Sequence, residues 1–389
     1  MAWAPLPVDL ASAVARREVS NRIECFRQYG TLFVSANSLG KFARCETQAV
    51  VAAMGYRGGD DSIKMELGSR AHETIASVRK GGSVDAALGD FAARWAPWVR
   101  PILDDMVDGE KAAAIERVYG VDNASRVLRV YLEQWHPQYP YRFVPEWVEC
   151  AFAVPFDADC AQCRCPEADH FPGSEMTMRQ TPRGLQHLGC AEYRPRILLC
   201  GKVDALVYDE LAVEWLVDDL KTTGRLDDDF ARGFTIDSQF STYLWAVPRA
   251  FGVAPAGSVV TALEWSRMPI VRLTKAGRPE KCRTHTGVTV DECHDLHCKT
   301  KQVGPFNRTE GQLAAWHANA TRIANRMHDV YSAIRDAQDV AEHANMYGTF
   351  THECGYCPAR GWCEGERVGE YLESAMRFEP WEGESCETK

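Results

Sequence analysis

Long hydrophobic runs are missing from this chain. Nowhere do eighteen apolar residues follow one another, so no segment reads as a membrane-spanning helix. A basic stretch leading into an apolar one is missing too: the sequence opens Met1-Ala2-Trp3-Ala4-Pro5, no secretory signal is recognised, and an intracellular, cytoplasmic location is expected. No internal repeat or low-complexity tract occurs. The pattern G-x-x-x-x-G-K-[ST] is absent, which excludes a P-loop motor within the sequence. Positive charge is in deficit, with 44 Lys and Arg against 54 Asp and Glu, a formal net charge of −10. Such a chain does not coat nucleic acid through global charge. An enzyme that collects a divalent cation nevertheless needs carboxylates at its centre and cations only along a groove.

Cysteine, by contrast, is abundant. Fifteen cysteines, an odd number gathered in local clusters, do not read as a disulfide framework without an export signal. In a reducing compartment metal ligation is the expected use. The 389 residues suffice for one or two sizeable cores, and the apolar (46%) and charged (25%) fractions are those of an ordinary globular protein.

Periodicity divides the chain into three parts. Residues 1–143 read as mostly helical, with amphipathic stretches at Leu10–Arg27, Ser38–Met54 (Ser38 as N-cap), Gly68–Arg79, Val84–Met106 and Ala112–Trp135. Residues 144–350 carry strands at Glu146–Phe156, Ile197–Tyr208, Val213–Lys221 and Val259–Leu273, and helices at Thr235–Ala250 and Thr309–Met346. Two Cys/His-rich interruptions break this part, at 157–194 and at 281–303. Residues 351–389 hold a cysteine cluster and an acidic tail. The fold class expected is α/β, a central mixed sheet flanked by helices.

The informative residues lie on the two central strands. Gly201-Lys202-Val203-Asp204 stands on the first and Asp218-Asp219-Leu220-Lys221 on the second, with a turn at Asp209-Glu210 between them. Side chains two apart on a strand share a face, so Asp219 and Lys221 project together, and a hairpin brings Asp204 beside them. Asp218 points to the opposite face. Both strands are apolar on both sides, and acidic residues in buried strands need partners or a metal. Two carboxylates and an ammonium converging on one point suit metal-assisted phosphodiester hydrolysis. The carboxylates hold Mg2+ or Mn2+, the Leu220 carbonyl is a further oxygen donor, and Lys221 acts on the water. An isolated Asp-x-Lys on a solvated hairpin is the bland alternative.

The order Gly-x-x-Asp, then Asp-x-Lys, then Gln239-Phe240-Ser241-Thr242-Tyr243 resembles the RecB-like nucleases of the PD-(D/E)XK superfamily. Gln239 and Tyr243 are four apart and share a helix face. The resemblance implies a restriction-endonuclease-like core in which that helix borders the active site and helps position the strand. Gly68-Ser69-Arg70-Ala71-His72 is similar to the early helical motif of the family and implies His72 as a metal ligand. Glu149 stands where such nucleases often carry an acidic residue on the first core strand. The cations near these motifs, Lys41, Arg44, Lys64 and Arg70, are candidates to line a groove.

Cys354-Gly355-Tyr356-Cys357-Pro358-Ala359-Arg360-Gly361-Trp362-Cys363 places three thiols in one short segment, and a tetrahedral site needs a fourth. Four cysteines suit zinc and iron–sulfur alike. The layout, one cysteine before the core and three after it, resembles iron–sulfur exonucleases such as the CRISPR-adaptation nuclease and the AddB nuclease domain. It implies a [4Fe–4S] clasp on Cys45, Cys354, Cys357 and Cys363. The first interruption carries Cys160, Cys163, Cys165 and Cys190 with His170 and His187, a candidate zinc knuckle. The second carries Cys282, His285, Cys293, His294, His297 and Cys298 in less orderly spacing.

The function expected is a DNA exonuclease or end-processing enzyme on single-stranded DNA in recombination, repair or mobile-element metabolism. A helicase, recombinase or single-strand-binding protein would be its partner. The alternatives are a non-catalytic nucleic-acid-binding iron–sulfur protein that keeps the nuclease fold, and a zinc-rich scaffold.

Overall fold

The computed structural model describes residues 23, 26–27, 30–58, 63–106, 109–156, 177–181, 184–188, 195–224, 226–265, 280–282, 286–289, 293, 298–334 and 376–378. In chain order the strands are β1 (Leu32–Val34), β2 (Tyr56–Gly58), β3 (Arg142–Pro155), β4 (Thr177–Thr181), β5 (Gly184–Leu188), β6 (Ile197–Asp209), β7 (Glu214–Thr223), β8 (Gly257–Glu264), β9 (Lys299–Phe306) and β10 (Met376–Phe378). The helices are α1 (Ala36–Arg44), α2 (Glu46–Ala53), α3 (Ile63–Arg79), α4 (Val84–Asp104), α5 (Gly109–Tyr119), α6 (Val121–Val130), α7 (Asp228–Gly233), α8 (Ser238–Phe251) and α9 (Glu310–Ala333). A π turn at Tyr131–Trp135 continues α6.

Six strands form a mixed sheet in the order β1-β6-β7-β8-β9, with β3 also paired to β6. β6 meets β1 in parallel at Ile197–Leu199 and β7 antiparallel at Ala205–Asp209, while β3 runs antiparallel along its other flank. The β6–β7 ladder ends at the pair Ala205↔Asp218, so the two strands part there and leave a fork. β7 and β8 are parallel from Leu216↔Gly257 to Thr223↔Glu264. The first interruption leaves the sheet beyond the pair Pro155↔Leu198 and the second beyond Glu264↔Lys299. Because β6 opposes β7, both exits lie at the end of the sheet where β7 and β8 terminate.

Helices cover both faces. On one, Phe42 of α1, Val50 of α2, Phe240 of α8 and Met327 of α9 pack with Val203, Val217 and Val260. On the other, Ile75 of α3, Phe91 and Trp95 of α4 and Leu128 of α6 pack with Leu220 and Leu263. The buried positions of α4, Leu88, Phe91, Trp95 and Val99, recur at helical spacing and form its apolar stripe. In β7, Val217 joins the first layer and Leu220 the second, the alternation that sends Asp219 and Asp218 to opposite faces. No helix among the described residues is long and apolar enough to cross a membrane.

Four expectations change. The stretch Ala112–Trp135 is α5 and α6 with the π turn, broken at Gly120, the N-cap of α6. The stretch Ser38–Met54 is two helices, broken at Cys45, whose extended backbone ends α1 and caps α2. The break is fixed from outside by Arg326 of α9, which donates to both oxygens of Glu46 at 3.0 and 3.1 Å. The N-cap is Ser35: its hydroxyl accepts the Ser38 N–H, while Ser38 Oγ accepts the Ser35 N–H at 2.7 Å, so Ser38 is the third residue of a capping box. Leu32–Val34, inside the part read as helical, is a sheet strand, too short to show a period. Two further elements end earlier or later than their pattern suggested. α9 stops at Ala333, where Ile334 turns extended, and α3 begins at Ile63, five residues before Gly68.

Candidate active site

The fork between β6 and β7 gathers the polar residues. The β6–β7 ladder has already ended at the level of Leu220, and its N–H donates instead to Asp204 Oδ2 at 2.7 Å. The Asp204 carboxylate thus takes over where the strand partner leaves. On its other side stands His72 of α3, with Nδ1 3.4 Å from the same oxygen. His72, Glu149 and Asp204 offer ligand atoms all within 4.8 Å of one another, the one such grouping of His, Cys, Asp or Glu among the described residues.

Glu149 is held there by unusual backbone. Its φ is +59°, in the left-handed region that a non-glycine residue enters at a cost of roughly 1–3 kcal/mol. The turn follows a register shift in β3 between Phe143 and Val148, and the Cys150 thiol donates to the Glu146 carbonyl across it. Lys202 of β6 pairs with the Glu149 carboxylate. Gly201 has its own reason: a Cβ there would stand 2.6 Å from Cζ of Phe152, its cross-strand partner, so the glycine leaves room for the buried Phe152 ring over β6.

Asp219 and Lys221 project together from β7, with Lys221 Nζ 2.7 Å from Asp219 Oδ2. Gln239 closes the chain. Its Oε1 accepts from Lys221 Nζ at 3.2 Å, and its Nε2 donates to Asp219 Oδ1 (3.3 Å) and to the Tyr243 hydroxyl (2.6 Å). α8 places it: the Asp237 side chain caps the helix by accepting the Gln239 N–H at 2.8 Å. Burial, the Asp204 charge and the Asp218 charge outweigh Lys221 and push the Asp219 carboxyl up to about 7. Burial also opposes ionisation of Asp204, but its hydrogen bond to His72, the charges of His72 and Lys221 and the Leu220 N–H hold it below the ordinary range. For Lys221, burial favours the neutral amine, but Asp219 and Asp204 prevail and raise it.

Asp218, on the other face, is built into a different cluster. Arg79, two helical turns beyond His72 on α3, pairs with its Oδ2 at 2.9 Å, both side chains being buried. Tyr139 and Thr261 hydroxyls donate to Oδ1, each at 2.6 Å. Arg79 also donates to the Tyr131 hydroxyl in the π turn (3.1 Å) and lies 4.3 Å over the Phe143 ring. This cluster fixes α3 against β7, and with it the approach of His72 to Asp204. Nothing in the sequence links Arg79 to Asp218, 139 residues apart.

The sequence matches the family model of the PD-(D/E)XK nuclease superfamily over residues 34–364. The chain belongs to the PD-(D/E)XK nuclease superfamily. No curated protein matches the chain. PD-(D/E)XK nucleases use Mg2+ or Mn2+ and act on DNA, and the mixed sheet flanked by helices fits their core. The donor set of the fork, one imidazole and two or three carboxylates, suits such a hard cation.

Of the other expected site residues, Cys45 stands half-buried at the α1–α2 corner, beside a cavity of about 270 Å3 that Arg44, Arg322 and Arg326 also line. Cys354, Cys357 and Cys363 lie outside the described residues, as do Cys160, Cys163, Cys165, Cys190, His170, His285, His294 and His297. Cys282, Cys293 and Cys298 are described, and the three thiols do not form a metal-sized group by themselves. Leu220 contributes its N–H to Asp204. Among the groove candidates, Arg70 is paired with Glu66 at 2.6 Å, and Lys41 and Arg44 sit on α1.

Proposed function

We propose that the chain is a metal-dependent deoxyribonuclease that trims single-stranded DNA or DNA ends. One observation carries this reading: in the fork the His72–Glu149–Asp204 donor set, from α3, β3 and β6, meets the Asp219–Lys221–Gln239 chain, from β7 and α8. His72, Glu149 and Asp204 would hold the cation, and Asp219 would join them once ionised. Bound there, Mg2+ or Mn2+ polarises a phosphate oxygen and lowers the pKa of a water. Lys221, fixed between Asp219 and Gln239, orients the attacking water and offsets charge growing on the phosphate. Tyr243 holds Gln239 beside the strand. The preference for single-stranded ends follows the resemblance in motif order.

The reading includes a [4Fe–4S] cluster on Cys45, Cys354, Cys357 and Cys363. The cationic lining of the cavity at Cys45 supports it, because thiolate ligands bring negative charge. Zinc at Cys160, Cys163, Cys165 and Cys190 completes the metal content.

Digestion of single-stranded DNA labelled at one end and then at the other, with Mn2+ or Mg2+, tests the reaction and its polarity. Wild-type protein is expected to digest it. Lys221→Ala is expected to lose on the order of 10²–10³-fold in rate or more, while calorimetry still registers divalent binding. Wild-type turnover in Lys221→Ala would sink the assignment, and DNA binding without cleavage by the wild type would favour the non-catalytic alternative. Iron, sulfide and zinc analysis of anaerobically purified protein decides the cluster; zinc alone at the C-terminal cysteines excludes it.

A further inference from the structure

α3 does more than deliver His72. Lys64, Gly68 and His72 recur every four residues and so share one face of the helix. His72 ends this line at the metal-binding fork. One turn back, about 6 Å along the axis, Gly68 presses against β7. A Cβ there would come within 3.1 Å of Thr222 Oγ1, so the glycine lets helix and strand touch. Beyond that contact the line opens into a cavity of about 680 Å3, with Lys64 on one wall and Lys299, at the start of β9, on another. The cavity lies off the carboxyl ends of the parallel strands β7 and β8, where open α/β sheets bind their ligands.

The lining has the chemistry of a nucleic-acid subsite. Among the described residues no ion pair engages Lys64 or Lys299, although Arg70, Arg94, Arg129 and Arg326 are all paired. Tyr119 is half-buried at the cavity, and Trp265, buried in its wall, is fixed by its Nε1 donating to the Val118 carbonyl at 3.0 Å. Glu264 lines the cavity as well, with one oxygen engaged by the Leu226 N–H at 3.2 Å. Two cations that no ion pair engages among the described residues, beside the part-exposed Tyr119 ring, suit a sequence-tolerant single-strand site: phosphate contacts for affinity and a ring face for a base. The volume falls within the roughly 300–1,000 Å3 of small-molecule sites. It admits a nucleotide-sized segment.

We infer that this cavity binds the stretch of unpaired strand flanking the scissile phosphate, with Lys64 and Lys299 on its backbone phosphates. The inference rests on the nuclease reading for the position of the scissile phosphate. Binding is tested apart from cleavage, by fluorescence anisotropy of a labelled single-stranded oligodeoxynucleotide with Ca2+ in place of Mg2+ and intactness checked on a gel. Lys64→Ala and Lys299→Ala are each expected to weaken binding about 3- to 10-fold and to reduce the slope of log affinity against log salt by about 1. The double variant is expected to lose about 2 from the slope, and Lys64→Arg to keep wild-type affinity. Wild-type affinity and slope in the double variant, with an unchanged thermal melt, overturn the inference while leaving the nuclease reading intact. Weakened binding in a protein whose wild type cuts no DNA supports the cavity and refutes the nuclease.

Discussion

Asp218 and Asp219 are neighbours on one strand, both buried, each beside one basic side chain, and their surroundings differ. Asp218 meets Arg79, Tyr139 and Thr261, donors drawn from a helix, a loop and the next strand. Among the described residues Asp219 meets Lys221 and Gln239, with the Asp204 carboxylate close enough to oppose its ionisation. The first carboxylate is surrounded by donors that the fold itself supplies. The second has one cation beside it, with the charges of Asp204 and Asp218 opposing its ionisation. In a buried strand, the number and sign of the partners, more than burial itself, separate a carboxylate that holds the frame from one that awaits a ligand.

The sharpest way to break the comparison is to neutralise each residue in turn. Asp219→Asn is expected to lower the cleavage rate on the order of 10³-fold without loss of stability, since it removes a buried charge that its surroundings oppose. Asp218→Asn strands a buried guanidinium and is expected to cost about 3–5 kcal/mol in urea denaturation, with a far smaller loss of rate per folded molecule. If Asp219→Asn proves the less stable of the two, or Asp218→Asn the less active, the roles are reversed.

A smaller effect separates the two by pH. The Asp219 carboxyl titrates at about 7 in the folded protein against an ordinary 3.8, so the folded state favours its protonated form. That contribution is fully present below about pH 4 and is lost as pH rises through about 7, at about 1.4 kcal/mol for each pH unit between the two values. Asp204, shifted downward, acts below that window. Metal-free protein should therefore melt at progressively lower temperature from pH 4 to 7. The gain in melting temperature on adding Mn2+ should grow over the same range. Asp219→Asn should flatten both curves, whereas a conservative change at Arg79 should leave their shape.

The smallest effect expected is at Gly201, remote from the Asp218 cluster. Gly201→Ala forces the added Cβ against Phe152 and should cost about 1–3 kcal/mol. Because it shifts β3 relative to β6, it should also weaken Mn2+ binding by moving Glu149 away from Asp204, and isothermal titration calorimetry reads this directly.

Much of this site was legible from local pattern. Alternation along β6 and β7, with a turn at Asp209, is enough to set Asp204 beside Asp219 and to turn Asp218 away. The four-residue spacing of Gln239 and Tyr243 likewise survives as a direct hydrogen bond. What was not legible depends on distance or on backbone. The partners of Asp218 lie on segments with no sequence cue to pair them. Glu149 adopts a positive φ without the glycine that would announce it, so its place in the donor group had only its strand position to suggest it. The break at Cys45 was hidden because the Arg326 pairing with Glu46 that accompanies it comes from a residue 280 positions away in sequence.

Both Cys/His-rich interruptions leave the sheet at the end where β7 and β8 stop, one beyond Pro155↔Leu198 and the other beyond Glu264↔Lys299. Strand pairs close the ladder on either side of each. Their length and content can therefore drift in descent while the spacing of Asp204, Asp219 and Lys221 is inherited unchanged. The strands that carry Asp204, Asp219 and Lys221 and the two interruptions are therefore separable tracts of the chain.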